Sequence, residues 1–557
     1  MSEFHSALAA YKTSATKRRW LFVPYDQLTS AIGPLAREPA KELGIVVVEC
    51  PDKAARRPYH KQKLALLLTN LRHFAIEQAA RGVAVQHVVA PSYRAAIAGV
   101  APKLGALRVM RPAERELRAE LAPLFESGEL EEVPHEGWLT TPEDFAAAGA
   151  KPPWRMDAFY RQVRRRLDIL MVKGKPMGGR FSFDAENREA WTGTPKAPAL
   201  PRYQVDAITA EVCDLVATRM ARHPGVLDPG GIPATRADAE RTWAWAKTQC
   251  LAHFGPFEDA MSTDSRTLFH TRISPLLNLQ RLSARTIVDD TVALDIPFAS
   301  KEGFVRQILG WREYVRHVHE ATDGFRVIGG VAQPVAKSPG DGGYGQWAGS
   351  AWAPAASGGD GGSQTSILGA ARPVPPAYWG KRSGLRCLDE VVASVWDEGY
   401  SHHITRLMVL ANIAMLLDVS PRDLTDWFWV AYIDAYDWVV EPNVHGMGTF
   451  GVGDVLTTKP YVAGSAYIHK MSNFCKGCRF KPKKTCPLTS LYWAYLGRHR
   501  EALARVDRMT LSVRSEARRT PAQRASDADV FARVTSTLAR GDELPEDIAS
   551  ASLGEGR

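Results

Sequence analysis

The sequence lacks the features that mark membrane and secreted proteins. No run approaches the ~20 consecutive apolar residues that a membrane-spanning helix needs, which excludes an integral membrane protein. The N-terminal region contains no continuous apolar segment of the kind found in a secretion signal, so we expect a cytoplasmic protein. The chain also lacks a GxGxxG pattern after its first predicted strand, and with it the usual dinucleotide-binding fingerprint.

Cysteines are few and the excess of positive charge is small. The 557 residues include seven cysteines, an odd number that does not suggest a disulfide framework. Three of them, Cys50, Cys213 and Cys250, stand among apolar neighbours and are interpreted as small buried hydrophobic residues. Lysine and arginine total 70 against 61 acidic residues, which fits either a solvated basic surface or a polyanionic partner.

Short apolar runs alternate with helical stretches in the N-terminal part of the chain. Strands are predicted at residues 20–24, 43–49, 83–89 and 106–110. The clearest helix spans 60–80, where apolar residues recur on one face. This alternation predicts right-handed βαβ units and a parallel sheet, that is, an α/β domain over residues 18–140.

The remainder of the chain divides into a connection, a helical domain and a tail. Residues 141–205 are basic and dotted with proline, which predicts a long interdomain linker on the surface. An all-α domain is predicted over 206–515, followed by a C-terminal tail at 516–557. Its helices are predicted at 235–254, 257–264, 301–320, 385–398, 401–417, 421–436 and 489–507. Residues 338–363 include nine glycines among 26 residues and predict a flexible surface insertion.

Four cysteines of the helical half form the strongest motif. Cys475 and Cys478 have CxxC spacing, Cys486 follows closely, and Cys387 is the other cysteine after residue 250. Four thiolates suit either tetrahedral zinc or a [4Fe–4S] cluster. The proline after Cys486 and the distant position of Cys387 favour the cluster, with zinc or free thiols as alternatives.

Three further segments carry polar groups that could serve a site. FHTRISPLLNLQRL (269–282) places hydroxyls and free N–H groups at a helix start, which fits a phosphate site or an ordinary N-cap. FVRQILGWREYVRHVH (304–319) fits either a polar binding helix or a salt-bridged one. In YSHHITRLM, two histidines precede Arg406, and such a pair is less easily explained as core than a lone histidine.

The order of these segments along the chain resembles that of one family. The pieces are ISPLLN, RQILGWREY, GLRC, YSHHITRLM, DWFWVAYIDAYDWV, KPYVAGSAYIHKMSNFCKGC and CPLTSLYWAYL. They resemble the photolyase/cryptochrome superfamily, in its bacterial branch with an iron–sulfur cluster, whose members include prokaryotic (6-4) photolyases. DQL, VVVE, HKQKLALLLTNLRHFA and GKPMGGRFSFDAENR fit the same branch, so the resemblance spans residues 18–515.

The resemblance implies a Rossmann-like antenna domain, a helical domain that binds FAD, and a set of site residues. The implied flavin-binding residues are His270, Thr271, Arg272, Ser274, Asn278, Gln307, Trp311, Arg312, Arg406 and Asp434. The implied cluster ligands are Cys387, Cys475, Cys478 and Cys486. His402 and His403 match catalytic histidines on the lesion side, Tyr461 and Tyr467 match lesion-pocket tyrosines, and Trp379 and Trp427 match an electron-transfer route. Asp26, Gln27 and Glu49 match an antenna site for 6,7-dimethyl-8-ribityllumazine.

The sequence departs from the family pattern at three places. The gap between Cys478 and Cys486 is shorter than usual, which requires a tighter cluster loop. Phe428 stands where some relatives carry tyrosine, which removes one redox-active ring. Val440 stands where some relatives carry glutamate near the flavin.

The resemblance implies light-driven repair of (6-4) photoproducts in UV-damaged DNA, by electron transfer from excited reduced FAD. The His402–His403 pair favours this lesion, because returning a hydroxyl between bases requires a proton donor. The alternatives are repair of cyclobutane dimers, a cryptochrome-like blue-light receptor, and a light-independent iron–sulfur nucleic-acid-binding protein. Basic residues at 161–166 and 481–484 are candidates for the DNA-phosphate rim, and we expect a monomer that associates with the nucleoid when bound to DNA.

Overall fold

The computed structural model has an α/β part followed by a helical part, as the sequence predicts. The structure describes residues 2–337 except 12, 15 and 16, then residues 344, 346–347, 350–352 and 360–549. Among these residues, no helix is long and apolar enough to cross a membrane.

Five parallel strands form the sheet of the first part. They are β1 (Arg19–Phe22), β2 (Leu43–Glu49), β3 (Ala84–Val89), β4 (Leu107–Met110) and β5 (Leu130–Val133), in the spatial order β3-β2-β1-β4-β5. The four predicted strands are confirmed, and β5 is additional. Every residue of β2 is buried, as expected for a central parallel strand that is covered on both faces.

Helices flank this sheet and lead out of it. They are α1 (Glu3–Ala9), α2 (Gly33–Arg37), α3 (Pro51–Ala55), α4 (Lys61–Ala80), α5 (Tyr93–Leu104), α6 (Arg115–Glu126), α7 (Pro142–Ala148) and α8 (Met156–Leu167). Three short antiparallel hairpins occur later in the chain. Their strands are β6 (Met171–Val172) with β7 (Lys175–Pro176), β8 (Val327–Ile328) with β9 (Val331–Ala332), and β10 (Gln346–Trp347) with β11 (Ser350–Ala351).

The second part is built almost entirely from helices. They are α9 (Ala207–Arg219), α10 (Arg236–Trp245), α11 (Leu251–Phe254), α12 (Ser274–Asn278), α13 (Ala284–Ala293), α14 (Phe298–Val305), α15 (Glu313–Ala321), α16 (Arg386–Glu398), α17 (His403–Thr405), α18 (Asn412–Leu416), α19 (Pro421–Ala431), α20 (Asp437–Val440), α21 (Ser465–Met471), α22 (Pro487–Arg498), α23 (Arg500–Leu503), α24 (Thr510–Ala517) and α25 (Pro521–Ala539). Wider π-helical turns join or extend some of them, at Ala246–Cys250, Arg306–Arg312, Arg406–Ala411 and Glu441–Gly448.

Helix α4 connects the two parts of the molecule. Its sequence predicts that a single apolar face is buried. More of the helix is buried than this, because polar residues such as Asn70 and Arg72 are also buried. The Lys63 ammonium donates hydrogen bonds to the carbonyls of Trp429 (2.8 Å) and Ala435 (2.5 Å) in the helical part. The helix is therefore enclosed between the sheet and the helical domain.

The structure differs from the sequence-based expectation in two segments. The connection at 141–205 contains α7 and α8, and Phe159 and Val163 of α8 are buried in the core rather than laid across the surface. Residues 257–264 form turns instead of a helix, because Met261 donates its backbone N–H to Met471 O at 2.9 Å.

The region predicted as a C-terminal tail contains the long helix α25. Its start carries a capping box, in which Thr520 and Gln523 bond each other's backbone N–H groups. Val530 and Val534 are buried, and α25 packs against α22. The predicted helix at 421–436 ends earlier, at Ala431.

The glycine-rich insertion is anchored by two aromatic residues. Tyr344 is fully buried and donates its hydroxyl to Asp426 O at 2.8 Å. The Trp352 ring is 9% exposed and meets the edge of His223 at 4.9 Å. Tyr344 and Trp352 are therefore packed against the rest of the protein within the segment predicted as a flexible insertion. Residues 338–343, 345, 348–349 and 353–359 of this predicted insertion lie outside the described residues.

Replacement of Trp352 tests this anchoring. We expect Trp352→Ala to lower the free energy of unfolding by about 3 kcal/mol, because a buried indole is removed from the core. Val331→Ala, at a side chain that is mainly exposed, is the control and should change stability by less than about 0.5 kcal/mol. Urea denaturation measures both, and equal midpoints for the two variants would show that the insertion is not anchored there.

Candidate active site

A cavity of about 300 Å³ lies inside the helical part. Three of the π-helical turns contribute to its wall, at Arg306–Arg312, Arg406–Ala411 and Glu441–Gly448. Such turns widen a helix by one residue and occur frequently at functional sites, because they redirect side chains and free backbone groups. Nothing in the sequence marks these turns.

All ten residues that the sequence implied for flavin binding line this cavity. They are His270, Thr271, Arg272, Ser274, Asn278, Gln307, Trp311, Arg312, Arg406 and Asp434. Phe428 and Val440, the two departures from the family pattern, line it as well. The residues come from chain segments that are distant in sequence, and the fold brings them to one site.

A buried ion pair organises one side of the cavity. Arg406 donates to both carboxylate oxygens of Asp434, with Nη1–Oδ1 at 3.0 Å and Nη2–Oδ2 at 2.9 Å. The Ser274 hydroxyl donates to Asp434 Oδ2 at 2.6 Å. Burial raises the pKa of Asp434, but Arg406 and Ser274 outweigh this effect and hold the pKa below its ordinary value. Asp434 is therefore ionised, and a fixed cation lies beside the cavity.

Two lining residues carry buried polar atoms without a hydrogen-bond partner among the described residues. These atoms are His270 Nε2 and Arg312 Nε. Burial lowers the pKa of Arg312 to about 10, so its guanidinium is still charged at neutral pH. Buried polar atoms without partners are costly, and a polar ligand would satisfy them.

Three histidines meet at one end of the cavity. His270 and His402 stack with ring centroids 4.3 Å apart, and His403 stands edge-on to His270 at 5.4 Å. His403 lines the cavity, whereas His402 is 2% exposed and lies behind His270. Burial, then the neighbouring His403 and Arg406, lowers the pKa of His402 well below its ordinary value.

Asp259 is a site residue that the sequence did not reveal. Its Oδ2 accepts a hydrogen bond from the Tyr467 hydroxyl at 3.2 Å, and its Oδ1 lies 3.8 Å from His403 Nε2. Arg188 Nε lies 3.9 Å from the same carboxylate. Tyr461, the other predicted lesion-pocket tyrosine, is partly buried against the helical core. Asp259 was assigned to a helix that the structure replaces with turns, so no local pattern marked it.

A third tryptophan joins the two that were predicted for electron transfer. The rings of Trp427 and Trp396 are 6.0 Å apart, and those of Trp396 and Trp379 are 5.4 Å apart. The indole N–H groups of Trp427 and Trp396 both donate to Tyr378 O, at 3.0 and 2.8 Å. Phe428 lies 5.1 Å from Trp427 and lines the cavity. Trp396 therefore bridges the predicted pair in a row of closely spaced rings.

The four predicted cluster cysteines converge from two chain segments. Cys387 begins α16, and Arg386 beside it donates a hydrogen bond to Lys476 O in the loop that carries the other three. Burial raises the pKa of the Cys387 thiol well above its ordinary value, and the three other thiols raise it further.

The spacing of these thiols bears on the kind of metal they fit. Among the described residues, no three His, Cys, Asp or Glu side chains are close enough to hold one metal ion. Four sulfurs around one zinc ion would lie about 3.8 Å from each other, since each Zn–S bond is about 2.3 Å. An iron–sulfur cube binds one thiolate at each of four irons and spreads its ligands more widely. Four thiolates are a donor set that suits either a zinc ion or a [4Fe–4S] cluster.

A second cavity, of about 910 Å³, lies at the carboxyl ends of β2 and β3. Glu49 lines it, and its carboxylate accepts hydrogen bonds from Arg72 Nε at 2.7 Å and Nη2 at 3.0 Å. Asp26 and Gln27 are not lining residues. Asp26 accepts from Ala113 N at 3.1 Å, and Gln27 donates to Met110 O at 2.7 Å. Of the three predicted antenna residues, Glu49 thus lines the cavity. Asp26 and Gln27 instead form hydrogen bonds near the strand ends.

Comparison with known proteins identifies the family. Residues 21–230 match the sequence profile of the family described as "Deoxyribodipyrimidine photo-lyase-related protein". The (6-4) photolyase of Agrobacterium fabrum is 31% identical over 500 residues, which cover 86% of this chain and 91% of that protein. The chain belongs to the photolyase family. Photolyases are light-driven DNA-repair enzymes, and the predicted family, fold class and enzyme class are confirmed.

Solved structures share the photolyase fold. A bacterial class III photolyase from Agrobacterium tumefaciens aligns with a TM-score of 0.53 over 95% of this chain and 98% of that chain, at 12% identity. A cryptochrome from Synechocystis sp. PCC6803 aligns with a TM-score of 0.48 over 92% of this chain and 94% of that chain, at 14% identity. The first of these alignments supports the α/β and helical arrangement of this photolyase.

The pH dependence of stability tests the state of His402 in this photolyase. Its lowered pKa means that below about pH 6.5 the unfolded chain takes up a proton that the folded protein does not. This contribution to stability is complete above about pH 6.5 and is lost as the pH falls. The His402→Gln variant lacks this contribution. We therefore expect its free energy of unfolding to fall less steeply than that of wild type between about pH 6 and 5, by up to about 1.4 kcal/mol per pH unit.

The exposed His469 provides the matched control for this measurement. Urea denaturation of wild type, His402→Gln and His469→Gln across this pH range measures the three slopes. A His402→Gln slope equal to that of wild type would show that the pKa of His402 is the same in the folded protein and in the unfolded chain.

Proposed function

We propose that this chain is a light-driven enzyme that repairs (6-4) pyrimidine–pyrimidone photoproducts in DNA and uses FAD as its cofactor. The observation that carries the proposal is the histidine group of His270, His402 and His403 at the end of the lined cavity. A relative that is 31% identical over most of the chain is named a (6-4) photolyase, which supports this lesion. Repair of cyclobutane dimers is the alternative.

The first cavity is the proposed FAD site. FAD supplies light-driven one-electron chemistry, while the protein supplies orientation and electrostatics. Arg272 and Arg312 offer charged groups for phosphates, and the Arg312 Nε donor has no partner among the described residues. Asp434 holds the Arg406 guanidinium in place by two hydrogen bonds, and both residues line the cavity. Arg406 therefore keeps a positive charge beside the cavity. A fixed cation favours a reduced, anionic form of a bound ring system.

His403 is the proposed proton donor to the lesion. Restoring the two bases requires a hydroxyl to return from one base to the other, and this transfer needs an acid. His403 lines the cavity, whereas His402 is buried and has a lowered pKa. Asp259, whose Oδ1 lies 3.8 Å from His403 Nε2, is the proposed positioning residue. His402 acts by stacking on His270, which holds this end of the cavity in shape.

The cysteines and the second cavity complete the proposed cofactor set. Cys387, Cys475, Cys478 and Cys486 are the proposed ligands of a [4Fe–4S] cluster with a mainly structural role. The second cavity is the proposed site of the ribityllumazine antenna. Glu49 faces it directly, and Asp26 and Gln27 shape the loop above the strand ends. A ligand site at the carboxyl ends of parallel strands is the usual place in such a fold.

Illumination of the reduced enzyme with defined lesions tests the proposed activity. We expect wild type to repair DNA that contains one (6-4) photoproduct, and His403→Ala to repair it at least about 100-fold more slowly, since a general acid contributes 10²–10⁴ in rate. Flavin content and DNA binding should be retained in the variant. Asp259→Asn should give a smaller loss together with an altered pH–rate profile.

Three outcomes would contradict this proposal. Repair of cyclobutane dimers alone by wild type would refute the lesion. Full (6-4) repair by His403→Ala would place the acid elsewhere. Photoreduction without repair of either lesion would favour a blue-light receptor.

Photoreduction of the oxidised enzyme tests the row of tryptophans. An electron that leaves Trp427 is replaced through Trp396 and then Trp379, and tunnelling falls steeply once a ring is missing from this row. We expect Trp396→Phe to slow photoreduction at least about tenfold, equivalent to about 1.4 kcal/mol in the barrier. Repair by chemically reduced enzyme should be unchanged. Trp493→Phe, in α22, is the matched control, and equal rates for both variants would remove Trp396 from the route.

A further inference from the structure

The segment that follows α25 contacts both chain segments that carry the four cysteines. The Leu544 N–H donates to Ser383 O at 2.9 Å, shortly before Cys387. Arg479, which follows Cys478 directly, donates through Nη1 to Leu544 O at 3.3 Å. The backbone of Leu544 is thus bonded on one side to the Cys387 segment and on the other to the cysteine loop.

Apolar side chains seat this segment firmly. Leu544 is 0% exposed and Ile548 is 2% exposed, and both belong to the same core as Cys387. Gly384 has a φ of 81°, and a Cβ atom at that position would lie 3.3 Å from Leu544 O. The close approach of the two backbones therefore suits glycine at position 384.

Glu543 contacts the same two segments through its side chain. Its Oε2 accepts from Arg479 Nη2 at 2.7 Å, and its Oε1 lies 2.9 Å from Arg382 Nε. Arg382 is largely exposed, so this ion pair contributes little stability by itself. The buried leucine and the two backbone hydrogen bonds are the stronger restraints.

We infer that residues 541–548 form a strap that holds the Cys387 segment against the cysteine loop, with Leu544 as its central positioning residue. The inference rests on the proposed cluster and goes beyond it, because it makes cluster retention depend on the C-terminal end of the described chain. A cluster with ligands on two segments is released when these segments separate. The strap opposes this separation.

Two matched leucine variants test the strap. Leu544→Ala removes the anchor, whereas Leu496→Ala removes an equally buried leucine of the same core at the end of α22 away from Cys486. The full chain is purified without oxygen, and iron and sulfide are measured. Loss of the visible absorbance is then followed in air. We expect Leu544→Ala to lose it about tenfold faster than Leu496→Ala, because local opening of the strap becomes easier.

Thiol reactivity gives a second readout that does not need a cluster. After removal of metal, the alkylation rate of Cys387, Cys475, Cys478 and Cys486 by a maleimide is measured by mass spectrometry. Faster alkylation in Leu544→Ala than in Leu496→Ala supports the strap. A finding of zinc and no iron in wild type would refute the proposed cluster but not the strap. Glu543→Gln should also speed cluster loss and alkylation, but by less than Leu544→Ala. Asp542→Asn, at an exposed neighbouring carboxylate, is its control. Equal cluster loss and equal alkylation in the two leucine variants would overturn the inference.

Discussion

The ion pair between Arg406 and Asp434 determines the geometry of the first cavity. Arg406 begins one of the π-helical turns, Asp434 lies between α19 and α20, and Ser274 of α12 donates to the same carboxylate. Removing one partner would leave a buried charge without compensation, which typically costs 3–5 kcal/mol. The pair therefore joins three walls of the cavity and keeps a cation beside it. The histidine group and the tryptophan row are built outward from this arrangement.

The family resemblance implied the cavity residues, which occur in compact motifs. The segments around His270, Gln307 and Arg406 each place several lining residues within one or two helical turns. The residues alone left each of these segments open to other interpretations, so the assignment to one common site came from the resemblance. The parallel sheet was predictable from the residues themselves, since runs such as the one in β2 are apolar along their whole length.

Other parts of the site depend on contacts between distant segments, which no local pattern reveals. Asp259 meets His403 only because residues near 257–264 form turns that bond to the segment around Met471. Trp396 becomes a bridge only when α16 packs beside Trp427. The burial of Tyr344 and Trp352 could not be predicted from the composition of the insertion, which reflects only the flexibility of glycine. The π-helical turns likewise reflect tertiary packing.

The bonds made by Lys63 have a consequence for how light energy would move through the molecule. Lys63 lines the second cavity, and its ammonium donates to the carbonyls of Trp429 and Ala435, the latter next to Asp434 of the first cavity. One side chain on a rigid helix thus connects the walls of both cavities. Transfer of excitation between two chromophores depends on their mutual orientation as well as their separation. An antenna bound in the second cavity would therefore be connected through α4 to the wall of the first cavity.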